Sequence, residues 1–155
     1  MRFWVLEPPD GQSHGKEVGI EYQRTTCSAD PFHMRLGRRV GDLAVLLDPR
    51  AVRDFTWTWA SDLLVSPRVL HLFETHNVTG FEAKPIKVLF PEDIELPPPE
   101  LYQLVVTGWG GFAAAAAGVK LIDWCPTCAK REYSIAEPGR MVDGAAWDGS
   151  DLFRV

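Results

Sequence analysis

The sequence predicts an α+β fold: a mostly antiparallel sheet of short strands with one main helix and a cysteine-knuckle hairpin. Phe55-Thr56-Trp57-Thr58-Trp59 and Leu101-Tyr102-Gln103-Leu104-Val105-Val106-Thr107 are runs of β-formers, the first in strict alternation. Ser66-Pro67 opens one stretch of helical period, with a hydroxyl able to cap and a proline at the first helical position, where its missing N–H costs nothing. Twelve prolines and thirteen glycines keep the elements short.

A chain of 155 residues can bury one ordinary core. We therefore expect a single domain over residues 1–155, built from an N-terminal segment (residues 1–91), a proline-stiffened connector (residues 92–100) and a C-terminal segment (residues 101–155). The formal net charge of −5 argues against a nucleic-acid-binding surface, because phosphate contacts need clustered Lys and Arg. Three cysteines do not make a secreted disulfide framework, and no apolar run reaches membrane-spanning length. Residues 1–9 break at Pro8-Pro9 too early for a signal peptide, so a reducing cytoplasm is the expected compartment.

In chain order, Phe3 to Leu6 reads as a first strand, and Val18, Ile20 and Tyr22 alternate as a second that could pair with it. His14 lies in the loop between them. Residues 25–40 show no period and read as an irregular excursion carrying Cys27, His33 and a basic patch at Arg35, Arg38 and Arg39. Leu43 to Leu47 is a compact apolar run that fits a buried strand, and Phe55, Trp57 and Trp59 read as core aromatics. The helix spans Ser66 to Asn77, with Leu70 and Phe73 docking on the sheet that carries Trp57 and Trp59. His71 and His76 read as edge residues of that helix.

Phe81 to Phe90 is a strand that Pro85 confines to a sheet edge or divides into two pieces. Gly110-Gly111 lacks the Gly-Lys-Ser/Thr of a phosphate loop, and Ala113 to Ala117 is too short to nucleate a helix alone. Val119 to Trp124 and Tyr133 with Ile135 read as the two arms of the knuckle hairpin, followed by a turn at Pro138-Gly139. Trp147-Asp148-Gly149-Ser150-Asp151-Leu152-Phe153 echoes Trp59-Ala60-Ser61-Asp62-Leu63-Leu64-Val65, as a duplicated unit cut short at the C-terminus would.

The chemistry-bearing stretch is Trp124-Cys125-Pro126-Thr127-Cys128-Ala129. Two cysteines at this spacing suit a shared metal, a disulfide or a redox pair. The simplest reading is two reduced thiols packing a hairpin tip with no cofactor. Zinc needs four ligands, so Cys125 and Cys128 would have to recruit Cys27 and a histidine such as His33 from far away in sequence. The residue after such a knuckle often needs positive φ, where Ala129 costs about 1 kcal/mol more than glycine. A thioredoxin-type site needs a helix starting at its first cysteine, and Lys130 to Ile135 reads as a strand. No Ser-His-Asp pattern, HExxH or paired-carboxylate motif is present, so no enzyme is expected.

Beyond these local readings, the chain resembles the double-CXXCG-motif family of immunity proteins, which accompany swarming-inhibition and other polymorphic toxins of myxobacteria. The resemblance lies in Met1-Arg2-Phe3-Trp4, in Asp54-Phe55-Thr56-Trp57-Thr58-Trp59, in Thr79-Gly80-Phe81-Glu82, in Leu101 to Gly111, in Cys125-Pro126-Thr127-Cys128 and in Trp147 to Phe153. The family's first CXXCG is missing, leaving Cys27, its glycine after the second cysteine is Ala129, and the chain is short at the C-terminus. The resemblance implies a non-catalytic protein that binds and neutralises a cognate toxin; charge and the want of a membrane-length apolar run lead us to expect neither nucleic acid nor membrane as partner. The acidic balance suggests a basic toxin surface, met by Glu92, Asp93 and Glu95, with Glu100, Asp148 and Asp151 adding charge and Trp109 as an aromatic anchor. A thiol-disulfide oxidoreductase and a zinc-ribbon-like adaptor are the alternatives.

Overall fold

A computed structural model describes residues 3–10, 14–33, 35–111, 118–134 and 142–154. The alanine tract, Ile135, the Pro138-Gly139 turn, Met1, Arg2, Ser13 and Val155 lie outside the described residues, as do the side chains of Arg35 and Arg38. The described residues form small sheets and one α-helix, an α+β architecture rich in strands. They divide into two units. The first comprises Met1–Ile20, Gly41–Gly108 and Ser150–Phe153, and the second Glu21–Val40, Trp109–Gly149 and Arg154–Val155. The connector 92–100 lies inside the first unit.

In the first unit, β1 (Lys16–Val18), β4 (Ala44–Leu46) and β8 (Lys87–Leu89) form a three-stranded sheet with β4 central. β1 runs antiparallel to β4 and β8 parallel to it. A four-stranded antiparallel sheet has the order β5 (Phe55–Trp57), β6 (Leu63–Val65), β9 (Tyr102–Val106), β7 (Phe81–Pro85). Its two faces bury different clusters, because successive strand residues point to opposite sides. Leu64 joins Leu43, Val45, Leu47, Val88 and Leu101, whereas Val65 and Leu104 pack with Val69 of the helix α1 (Pro67–Thr75). The apolar run 43–47 thus serves as the buried strand that its composition predicts.

The helix begins and ends as its local chemistry dictates. Ser66 is extended at φ −74°, ψ 160°, and its Oγ accepts from the Val69 N–H and donates to Asp54 Oδ1 at 2.7 Å. Asn77 takes the left-handed conformation (φ 54°) that stops the helix. Leu70 and Phe73 pack on the cluster of Val65 and Leu104, with the Phe73 ring edge-on to Phe81 at 5.3 Å. Pro85 both ends an edge strand and separates β7 from β8, which enter different sheets.

Several expectations give way. Phe3 to Leu6 is not a strand, and Trp4, Val5 and Leu6 are exposed; β1 pairs with β4 instead, because the central apolar strand offers a buried partner. Val18 to Tyr22 is interrupted at Gly19, whose φ of +63° turns the chain out of β1. Trp59 is 74% exposed, beyond the end of β5 and beside the His14 ring, so only Trp57 of that pair is core. Leu72 of the helix also faces outward, whereas His71 and His76 are exposed, as edge residues should be.

The segment Ser150–Phe153 runs as a strap across the first unit. Leu152 N–H donates to the Thr79 carbonyl at 3.0 Å, and Asp151 Oδ2 accepts from the Thr79 N–H and Oγ at 2.8 and 2.9 Å. Those bonds hold the Asp151 carboxyl below its ordinary value, the backbone N–H of Thr79 contributing most. Gly80 and Gly108 make room for the strap: a Cβ on either would fall within 2.1 Å of the Leu152 carbonyl oxygen.

The described residues of the second unit include two hairpins. β2 (Glu21–Thr25) pairs antiparallel with β3 (Arg35–Val40), where the sequence suggested an irregular excursion. β11 (Leu121–Trp124) pairs antiparallel with β12 (Arg131–Tyr133), and Ser134 and Lys120 extend that ladder. The remaining elements, β10 (Gly108–Trp109) and β13 (Phe153–Arg154), are two residues each, and the chain passes between the units within them.

Candidate metal centre

The two hairpins of the second unit each deliver half of a ligand set. Cys27 and His33 lie on the connection between β2 and β3, and Cys125 and Cys128 lie on the turn between β11 and β12. The ligand atoms of all four residues lie within 4.8 Å of one another, close enough to bind a metal such as zinc. Cys27 Sγ is 3.8 Å from Cys125 Sγ, and Cys128 Sγ is 4.0 Å from His33 Nδ1. Tetrahedral zinc with bonds of about 2.3 Å to sulfur and about 2.0 Å to nitrogen sets ligand separations of roughly 3.6–3.8 Å, so the observed spacing fits with little movement. The three sulfurs are not bridged by a disulfide.

Local chemistry explains why the turn holds this shape. The Cys125 N–H donates to the Lys130 carbonyl at 2.9 Å and closes the base of the loop. Ala129 has φ 56°, the positive angle expected after a knuckle, which turns the chain back into β12. The backbone N–H of Cys128 is the largest influence on Cys125, followed by His33, and together they push its thiol down to about 6. Cys128 moves the other way. The Lys130 N–H favours its thiolate, but burial and the sulfurs of Cys125 and Cys27 outweigh that and hold the thiol above its ordinary value. Without a cation, three sulfurs this close cannot all ionise; a divalent metal removes that conflict.

The other pair of ligands is held by Asp30. Its Oδ1 accepts from the Phe32 N–H at 2.8 Å, its carbonyl accepts from the His33 N–H at 3.0 Å, and its Oδ2 lies 3.2 Å from His33 Nε2. A carboxylate on Nε2 keeps the proton there and turns Nδ1 toward the sulfurs, the arrangement that supports histidine ligands in metal sites. Asp30→Asn keeps the turn acceptor but loses the carboxylate charge. We expect it to lower zinc affinity by about 10-fold and Asp30→Ala by up to about 100-fold, measured by chelator competition.

Cys27 and Cys125 are buried, Cys128 is half-buried and the His33 side chain is 17% exposed. This is a closed set of four protein ligands, the pattern of a structural rather than a catalytic zinc. The sequence identifies Cys125 and Cys128 directly, and the odd third cysteine hints at Cys27. His33 is the ligand for which the only sequence signal was its position a few residues beyond Cys27, across the turn-forming Asp30-Pro31.

The other residues singled out by sequence stand differently. Glu92, Asp93 and Glu95 are exposed in the turn that follows β8. Glu100, by contrast, accepts from the Tyr102 hydroxyl, Asp151 is engaged by Thr79, and Asp148 Oδ2 accepts from the Trp109 N–H at 2.7 Å. Trp109 is 38% exposed. The first unit also has an open cleft of about 870 Å³ over Phe55 and Trp57. Two of its lining acids are in ion pairs, Asp48 with Arg50 and Asp54 with Arg68, and the Arg50 guanidinium holds the Asp48 carboxyl down to about 2. Among the described residues no helix is long and apolar enough to cross a membrane. Comparison of the chain with models of protein families, with curated proteins and with solved structures gives no match.

Proposed function

We propose that Cys27, His33, Cys125 and Cys128 hold one structural zinc ion, and that the protein is a non-catalytic binding module of the immunity type its sequence resembles, neutralising a cognate bacterial toxin. The observation that carries the metal assignment is the convergence of four ligand atoms within 4.8 Å from two segments nearly a hundred residues apart. A complete protein ligand set leaves no open position for substrate, which favours a scaffold over a catalyst. A thioredoxin-type role is less well supported. Cys125 is followed by a turn and then β12, so the helix N-terminus that such a site uses is missing.

The toxin-binding half of the proposal rests on family resemblance and on charge. The first unit carries seven Lys and Arg against fourteen Asp and Glu, a formal charge of −7, while the second carries nine against seven. A basic partner is therefore drawn to the first unit, and the exposed Glu92, Asp93 and Glu95 are suited to steer it. Co-expression should rescue cells from the toxin encoded beside this protein and not from an unrelated toxin. Lysine at all three positions should slow association about tenfold at low salt, with a smaller effect as salt rises. Failure of rescue by soluble, folded protein would sink the immunity assignment. Rescue with an unaltered association rate would move the contact surface away from the 92–95 turn.

A further inference from the structure

We propose that peroxide opens the metal centre at Cys128, giving a Cys125–Cys128 disulfide and releasing the zinc. This inference rests on the zinc assignment above. Of the three sulfurs, Cys27 and Cys125 are buried and Cys128 is half-buried, so an oxidant from solvent meets Cys128 first. Zinc-bound cysteines are thiolates, the form that attacks peroxide. The second thiolate is already at hand, because Cys125 sits on the same tight turn with its sulfur within 4.8 Å of Cys128. Closing that pair draws on one turn alone and needs no residue of the β2–β3 connection. Cys27 and Cys125 are 3.8 Å apart, but both are buried, and their bridge would have to form without Cys128, the least buried of the three.

The chemistry balances with hydrogen peroxide as oxidant. The Cys128 thiolate attacks one peroxide oxygen; an S–O bond forms, the O–O bond breaks, and the departing hydroxide takes a proton to become water. The Cys125 thiolate then attacks the sulfenic sulfur, forming the S–S bond and expelling a second hydroxide, which is protonated in turn. Two thiolates have lost two electrons, one peroxide has gained them, and two waters result. Cys27 and His33 are then the only ligands left, too few to retain zinc. Because the centre joins the β2–β3 hairpin to the β11–β12 hairpin, its loss releases the loop carrying Cys27 and His33 from the knuckle.

Purified zinc-loaded protein is treated with hydrogen peroxide, released zinc is followed with a chromogenic chelator, and the disulfide is mapped by mass spectrometry without reduction. We expect one zinc released per chain in step with a Cys125–Cys128 bridge, reversed by dithiothreitol and fresh zinc. Cys128→His keeps a fourth ligand and removes the least buried sulfur, and should release zinc about tenfold more slowly. Zinc retained under peroxide that oxidises the denatured chain, a mapped Cys27–Cys125 bridge, or unchanged release from Cys128→His would each overturn the proposal. Protein that neither carries nor takes up zinc would overturn the zinc assignment itself, an outcome read before any peroxide is added.

Discussion

Chelation of zinc should unfold the described hairpins of the second unit and leave the first unit folded. Of the buried hydrophobic residues among those described, Cys27 and Cys125 are the only two in the second unit, and both belong to the proposed zinc site. The strands there form separate two-stranded ladders, which are marginal in water without something to pack on. On the zinc proposal, the metal takes the place of a core. Structural zinc in small modules contributes about 10–16 kcal/mol of apparent binding free energy, as much as a domain's whole net stability of about 5–15 kcal/mol. Cys125→Ser should therefore have the same effect as a chelator. Amide exchange on the full chain is the readout: protection should vanish at 21–25, 35–40, 121–124 and 131–133 and persist at 63–65 and 102–106. Stoichiometric loss of zinc with unchanged protection in both hairpins would contradict it.

Gly80→Ala should be the most damaging single methyl in the first unit, costing about 3 kcal/mol or more in urea denaturation. Two effects combine there. Gly80 has φ +86°, which an alanine adopts at a cost of about 1 kcal/mol, and its new Cβ would lie 1.9 Å from the Leu152 carbonyl oxygen. Relief of that clash requires the strap to lift, which breaks the bonds of Leu152 and Asp151 to Thr79. Two companions separate the effects. Gly19→Ala imposes the same kind of backbone angle (φ +63°) with nothing within 4 Å, so it should cost about 1 kcal/mol. Gly108→Ala meets the same oxygen at 2.1 Å without a positive φ, so its penalty measures the strap alone. A Gly80→Ala penalty no larger than that of Gly19→Ala would mean that Ser150–Phe153 does not lodge there in solution.

What could be read from the sequence was what is decided locally. Ser66 and Pro67 fix a helix start with their own side chains, and Pro85 splits a strand because it lacks an N–H. Leu43 to Leu47 and Leu101 to Thr107 are apolar enough to be buried whatever their partners. Pairing was not legible, because it depends on contacts remote in sequence. β3 is Arg-Leu-Gly-Arg-Arg-Val, a run whose charges conceal its strand character, and its partner supplies the missing pattern. Trp59 failed for a similar reason: alternation continued past Trp57, but the chain turned at Ala60 and Ser61, the latter at φ 66°. The candidate metal ligands were half visible. The Cys125 and Cys128 spacing is a local signal, whereas Cys27 and His33 are 98 and 95 residues from the sulfurs they meet.

That separation has a consequence for a chain made from one end. Cys27 and His33 leave the ribosome long before Cys128, and at about 5–20 residues per second the wait is roughly 5–20 s. Through that interval the first hairpin carries a lone thiol and an imidazole that cannot yet form a four-coordinate site. The strap Ser150–Phe153 arrives later still, after Gly80 and Gly108 have already been in place for tens of residues. Each unit therefore waits on a segment made long after the residues it meets, and a nascent chain stalled before Cys125 would expose an unmetallated thiol to whatever electrophile or chaperone reaches it first.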